Sequence, residues 1–206
     1  MRNKPNIVLI TIDSLRADFV GYLNPKEKNM PFFDSFLKKS YSFENAISPA
    51  SPTFSVFSAI LTGILPFRFG RFLGIPDNRN IKTLAEVLKE HGYSTYAFLA
   101  NSPALYSNYG YDRGFDYYDD GYTDSNKLYL SLQEMLWNIR EKIPEIILNS
   151  VEIFRTIIKS VILSPQISVS GKKLNEKTMN QFNPLNDKPS FLWLHYMDAH
   201  LPFFSG

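Results

Sequence analysis

The feature that most restricts this chain is Ile7-Val8-Leu9-Ile10-Thr11-Ile12, an almost unbroken β-branched run that stops at Asp13. Such a run reads as a strand buried on both faces, the kind found in parallel sheets, where helices cover both sides. Its length is far short of the ~20 apolar residues that a bilayer-spanning helix needs. A carboxylate therefore stands at the strand's C-terminal end, the edge where open α/β sheets bind ligands. The same carboxylate would serve equally well as a cap of the following turn.

The rest of the chain alternates in the manner of an α/β fold. Met30-Pro31 opens a predicted helix with Phe32, Phe33, Phe36 and Leu37 at helical spacing and Lys38-Lys39 in its last turn. Tyr41–Ala46 reads as a short strand. Ser48-Pro49-Ala50-Ser51-Pro52-Thr53 reads as a loop leading into a buried helix over Phe54–Leu61, stopped near Thr62-Gly63. Ser51 suits the cap of that helix, with Pro52 at its first position. A hydroxyl at this entrance lies at the positive end of the helix, beside unpaired N–H groups. Thr83–Glu90 predicts a helix with Leu84, Val87 and Leu88 on one face, ended by His91-Gly92, and Ser94–Ala100 predicts the next strand. Tyr109–Asp120, rich in Gly, Tyr and Asp, reads as loop. The final strand is expected over Ser190–Tyr196.

Two segments interrupt the alternation. Between 127 and 163, Ile146, Ile147, Ile153, Phe154, Ile157, Val161 and Ile162 recur at helical spacing, with Asn149, Glu152, Thr156 and Lys159 on the opposing side. Pro144 splits two helices or opens the second. A helix lying on a membrane or a partner is one reading. Packing against the body, or forming a lid, is preferred because the polar stripe is not markedly basic. Residues 165–189 are polar and read as a loop or linker.

Composition narrows the function. The 206 residues carry 22 Lys+Arg against 20 Asp+Glu, a net charge of +2 that gives no nucleic-acid footprint. There is no cysteine, which excludes disulfides, thiolate metal sites and a thiol nucleophile. No leader or spanning stretch is read in the chain, so a cytoplasmic location is expected. Oligomeric state is not legible.

Three polar clusters fall at strand ends or a helix entrance: Asp13 with Arg16 and Asp18, Ser51 with Thr53, and His195 with Asp198 and His200. In a doubly wound sheet these positions share one edge. A metal-binding carboxylate, a hydroxyl at a helix N-terminus and an imidazole together would suit attack on an anionic ester. Each alone has a plainer role, as a cap or a satisfied hydrogen-bonder.

The motifs are also recognisable together. Pro5–Asp18 resembles the opening strand of sulfatases in the alkaline phosphatase superfamily. Phe43–Ala46, Ser51–Gly63, Thr83–Tyr93, Gly110–Tyr117 and Phe191–Pro202 follow in that family's order. The resemblance implies a three-layer α/β/α fold with a mostly parallel, doubly wound sheet. It also implies a divalent metal: calcium first, with magnesium, manganese or zinc as alternatives. Asp13 matches the first metal carboxylate, although Ser14 stands where many calcium sulfatases have a second aspartate. The family's nucleophile lies ten residues before the glycine of Leu61-Thr62-Gly63, which is Thr53. Typical sulfatases have Cys or Ser there, converted to formylglycine within a Cys/Ser-x-Pro-x-Arg signal. Here Thr53, Ser55 and Phe57 stand instead, and the signal is absent. Threonine is the nucleophile of related phosphodiesterases and phosphotransferases. His200, ahead of Leu201-Pro202, matches the histidine that contacts the anionic group. Asn101-Ser102 falls where many sulfatases carry Gly-Lys-Trp-His. Arg16, Asn101 and His195 are the expected substrate-side residues.

The resemblance thus implies a metal-dependent hydrolase of sulfate or phosphate esters, acting on a small molecule or a glycan. The alternatives are a threonine phosphodiesterase or phosphotransferase, and a degenerate homologue that only binds an anion. The family's remaining metal ligands lie in a later Asp-His-Gly strand. Residues 1–206 are therefore expected to be the N-terminal portion of the catalytic domain, with an incomplete metal site and an exposed sheet edge.

Overall fold

The structure is a computed structural model that describes residues 4–21, 23, 24, 26, 30–69, 74–78, 80–100, 103–121, 169–182 and 188–200. Among these, β1 spans Ile7–Ile12, α1 Pro31–Leu37, α2 Thr53–Thr62, α3 Leu84–Glu90, β2 Ser94–Leu99, β3 Tyr117–Asp119, α4 Gly171–Gln181 and β4 Ser190–Tyr196. The strands form one sheet in the order β1-β4-β2-β3, and every pairing is parallel. Ile7 pairs with Phe191 and Ile12 with Tyr196, while Ser94 pairs with Ser190 on the other side of β4. The last strand in sequence thus lies at the centre. All strand C-termini share one edge, which gathers Asp13 and the end of β4.

Helices lie on both faces, so the three-layer α/β/α expectation holds. The side chains of β4 alternate between the layers. Phe191 and Trp193 join Phe57 and Leu61 of α2 and Ala85 of α3 in one buried cluster, with the Phe57 and Trp193 rings 5.4 Å apart. Leu192 faces the other way, with Phe98 of β2 and Leu174 of α4. Local sequence explains the helix limits. Gly63 closes α2 at φ 68°, where its N–H reaches the Ala59 carbonyl. Thr83 and Glu86 form a reciprocal capping box at the start of α3. Arg113 then clamps this corner, bonding Glu86 and the carbonyls of Pro76 and Ile81.

Five expectations are corrected. β1 is not buried on both faces: Val8 and Ile10 are 56% and 57% exposed, because α4 packs over β2 and β4 and β1 is an edge of the described sheet. Tyr41–Ala46 forms no strand, having no strand partner among the described residues; Tyr41 and Phe43 stand in solvent. Tyr109–Asp120 is not all loop, since Tyr117–Asp119 pairs with Tyr96–Phe98. The polar stretch 165–189 contains α4. Ser51 does not cap α2, whose N-cap position is Pro52. The helical reading of 127–163 lies outside the described residues. No helix among the described residues is long and apolar enough to cross a membrane.

Candidate active site

At the C-terminal end of β1 the ladder runs one residue further, with the Asp13 N–H on the Tyr196 carbonyl at 2.9 Å. The chain then turns sharply at Ser14, whose φ of 59° is rare for a residue with a side chain. This turn brings the Ser14 hydroxyl back to donate to Asp13 Oδ1 at 3.0 Å. From α2, Thr53 Oγ1 donates to the other carboxylate oxygen, Oδ2, also at 3.0 Å. Thr53 is the first residue of the ten-residue α2. Its hydroxyl therefore sits at the N-terminal end of the helix, where the first-turn N–H groups present partial positive charge. The sequence separation of 40 residues is closed by topology: a strand end and a helix start meet on one edge of the sheet.

The pair opens into a cavity of about 400 Å³ whose lining also includes Ser14, Ser48, Ser51, Val56, Phe57 and Ile60. A larger hollow of about 600 Å³ lies on the α4 side, lined by Met179, Phe182, Leu192 and Leu194 together with uncharged polar residues. It holds no titratable group, whereas the smaller cavity is lined by Asp13 beside the Ser14 and Thr53 hydroxyls.

Beneath the cavity floor His195 is fully buried. Its Nδ1 lies 2.9 Å from Thr11 Oγ1, which also accepts from Trp193 Nε1 at 3.0 Å. The imidazole edge meets the Phe57 ring, with centroids 5.0 Å apart and planes at 82°. His195 Nε2 is buried with no hydrogen-bond partner among the described residues. Burial pushes the His195 pKa down to about 4, opposed by the negative charge of Asp13 and assisted by His200. The ring is thus neutral at pH 7.

The expected site residues divide accordingly. Asp13 and Thr53 are brought into contact. His200 lies half-buried in the turn after β4, its N–H on the Met197 carbonyl at 2.9 Å, and close enough for its charge to act on His195. Asp198 does not join this group; its Oδ1 accepts the Gly171 N–H at 2.9 Å and so caps α4. Arg16 is exposed and spent on Asp18, with a bond of 2.7 Å that raises the guanidinium pKa and lowers that of the carboxylate. It does not line the cavity. Asn101 lies outside the described residues. Sequence reasoning missed Thr11, for which the available signal was one hydroxyl inside an otherwise apolar strand.

Whether a hard divalent cation suits this place can be judged from the donors. Asp13, Ser14 and Thr53 offer only oxygen, one of them anionic, which fits one side of such an ion's shell. Among the described residues no group of three or more His, Cys, Asp or Glu completes it.

The family model for Sulfatase matches residues 5–206. Over 95 residues the chain is 33% identical to an ulvan-active sulfatase of Formosa agariphila, a match covering 45% of this chain and 18% of that protein. The fold is similar to that of Ps i-CgsB, solved in complex with k-i-k-neocarrahexaose, with a TM-score of 0.63 and 21% identity over 99% of this chain and 47% of that one. It is similar also to the phosphonate monoester hydrolase of Agrobacterium radiobacter, with a TM-score of 0.63 and 16% identity over 97% of this chain and 42% of that one. The chain thus spans less than half the length of the proteins it matches.

Proposed function

The chain belongs to the Sulfatase family, and from that premise we propose that its site serves a hydrolase of sulfate or phosphate esters in which Thr53 is the nucleophile. The observation that carries this reading is the 3.0 Å hydrogen bond from Thr53 Oγ1 to Asp13 Oδ2 at the entrance of α2. The bond fixes the hydroxyl and gives its proton a carboxylate to move toward. The helix N-terminus favours the negative oxygens of the ester. Thr53 Oγ1 attacks sulfur or phosphorus, and His200 supplies a proton to the departing alcohol oxygen. Water then cleaves the threonine ester, releasing sulfate or phosphate and restoring the hydroxyl. A divalent cation held by Asp13 and Thr53, calcium first among the candidates, would supply positive charge that stabilises the nucleophile and the ester oxygens.

Two observations pull the substrate in different directions. The family and the ulvan-active relative favour a sulfate ester, on a glycan as the neocarrahexaose-bound neighbour suggests. A threonine in a chain without cysteine favours phosphorus, the second reading, in which the adduct goes to water or to another hydroxyl. The test is turnover of 4-nitrophenyl sulfate, bis(4-nitrophenyl) phosphate and a 4-nitrophenyl phosphonate by the natural gene product with calcium or magnesium. Thr53→Ala is expected to lower the preferred activity by about 10³-fold or more. Full activity in that variant would remove Thr53 from the chemistry. Absence of turnover, with sulfate or phosphate still raising the melting temperature, would leave an anion-binding homologue.

A further inference from the structure

We infer that His195 is a positioning residue for this site, holding Asp13 and Thr53 in register from below through Thr11 and Phe57. The inference rests on the reading of Asp13 and Thr53 as the working pair. Burial denies the imidazole any contact with substrate. Two of its contacts fall instead on the two elements that carry the pair, and a third falls on the Trp193 ring, 6.3 Å away. Thr11, bonded to Nδ1 at 2.9 Å, lies two residues before Asp13 and so on the same face of β1. Phe57, met edge-on at 5.0 Å, lies four residues after Thr53 and so on the same face of α2. One rigid ring therefore touches the strand one step below the carboxylate and the helix one turn beyond the hydroxyl. Trp193, bonded to the same Thr11 oxygen and with its ring tilted 31° to that of Phe57 at 5.4 Å, braces both from β4.

Simple space-filling does not account for a histidine here. Leaving Nε2 buried without a partner costs stability that leucine or phenylalanine would not incur. What the imidazole adds over those residues is the Nδ1 bond to Thr11, which fixes the ring plane and with it the edge presented to Phe57.

Three substitutions in the natural gene product separate the possibilities. Asparagine places a polar atom near the position of Nδ1, glutamine near that of Nε2, and leucine offers neither. His195→Asn is expected to keep kcat within about threefold of the original, while His195→Leu and His195→Gln lose about 10- to 100-fold in kcat with little change in KM, as a small misplacement of reacting groups would cause. Recovery by glutamine but not asparagine would show that Nε2 touches the reacting groups and would overturn the inference, as would equal activity in all three. Crystal structures of the variants give a readout that needs no turnover. In His195→Leu the Thr53 Oγ1–Asp13 Oδ2 bond of 3.0 Å is expected to be lost, and its persistence would overturn the inference even if folding of another variant failed. An unaltered protein that turns over none of the esters would sink the catalytic reading instead, with the crystallographic comparison still deciding the role of His195.

Discussion

On the face of the sheet that meets α2 and α3, Phe191, Trp193 and His195 are wholly buried, whereas on the opposite face Val8 and Ile10 of β1 stand more than half exposed. The contrast follows from the helices. α2 brings Phe54, Phe57 and Leu61 onto the first face, and Tyr111 and Phe115 fill in behind it. α4 brings Leu174 over β2 and β4 and reaches β3 through Lys177 on Asp119 and Gln181 on Tyr117, which leaves Val8 and Ile10 of β1 exposed among the described residues. The candidate chemistry lies at the rim of the tightly packed face. A hydroxyl and a carboxylate can be held at 3.0 Å only where the elements carrying them are locked by their own side chains. The α4 face holds the larger hollow, with no titratable group lining it. The larger volume and the candidate site lie apart, and the tighter packing lies with the candidate site.

The strongest way to break this contrast is to remove its central side chain. Trp193 touches Phe57, Phe115 and Tyr118 and donates to Thr11. Trp193→Ala is expected to cost about 3–5 kcal/mol, read as a fall in the denaturant midpoint at unchanged m-value. A cost below about 1 kcal/mol would mean that this face is not the foundation of the fold.

Acid should attack the same face next. The unfolded chain protonates His195 near pH 6.5, but the folded one does so only near pH 4. Between those values the unfolded state binds more protons, so stability falls as the pH is lowered and is fully present above about 6.5. Each pH unit inside the window costs up to about 1.4 kcal/mol, roughly 3 kcal/mol in all. Denaturant melts at pH 7, 5.5 and 4.5 should show the slope, and His195→Asn should lack it. Equal slopes in both proteins would place the acid sensitivity elsewhere.

A smaller effect is expected where the packed face is tied off at its corner. Thr83 accepts the Glu86 N–H at 3.1 Å and donates to the Arg113 carbonyl at 2.8 Å. Thr83→Ala removes a helix cap and one buried bond, and should cost about 1–2 kcal/mol. Thr83→Ser, which restores the hydroxyl, should recover most of it in thermal melts.

The two faces also differ in how far they can be read from sequence. β1, α2, α3 and β4 each announce themselves through an apolar run, helical spacing or a capping pair, and the meeting of Asp13 with Thr53 follows from strand ends sharing an edge. α4 is hidden because its apolar content is little more than Leu174 and Met179, and because its cap, Asp198, lies 27 residues away. The three residues of β3 are extended by their pairing with β2 rather than by any pattern of their own. The Thr11–His195 bond joins positions 184 apart. A histidine near a strand end suggested substrate contact, and only three-dimensional burial places it under the floor. Local signals betray elements that are stable by their own pattern; features made by tertiary contact leave no local mark.

The last test sharpens the contrast within a single strand. Leu9 and Ile10 are neighbours in β1, pairing with Trp193 and Leu194 of β4. Leu9 packs against the sealed cluster, and Ile10 points to the other side at 57% exposure. Both replacements remove the same three carbons, and alanine forfeits more β-propensity at Ile10 than at Leu9, so a larger cost at Leu9 isolates the packing of its face. Leu9→Ala should cost about 2 kcal/mol and Ile10→Ala less than about 1 kcal/mol in urea melts of the 206-residue chain. If Ile10→Ala matched Leu9→Ala, something would have to lie over Val8 and Ile10, and the sheet would be packed on both sides as its unbroken apolar sequence implies. If the inequality holds, β1 carries more hydrophobicity than its own neighbours use. The apolar run would then be satisfied on one face only, the face whose packing holds Asp13 and Thr53 together.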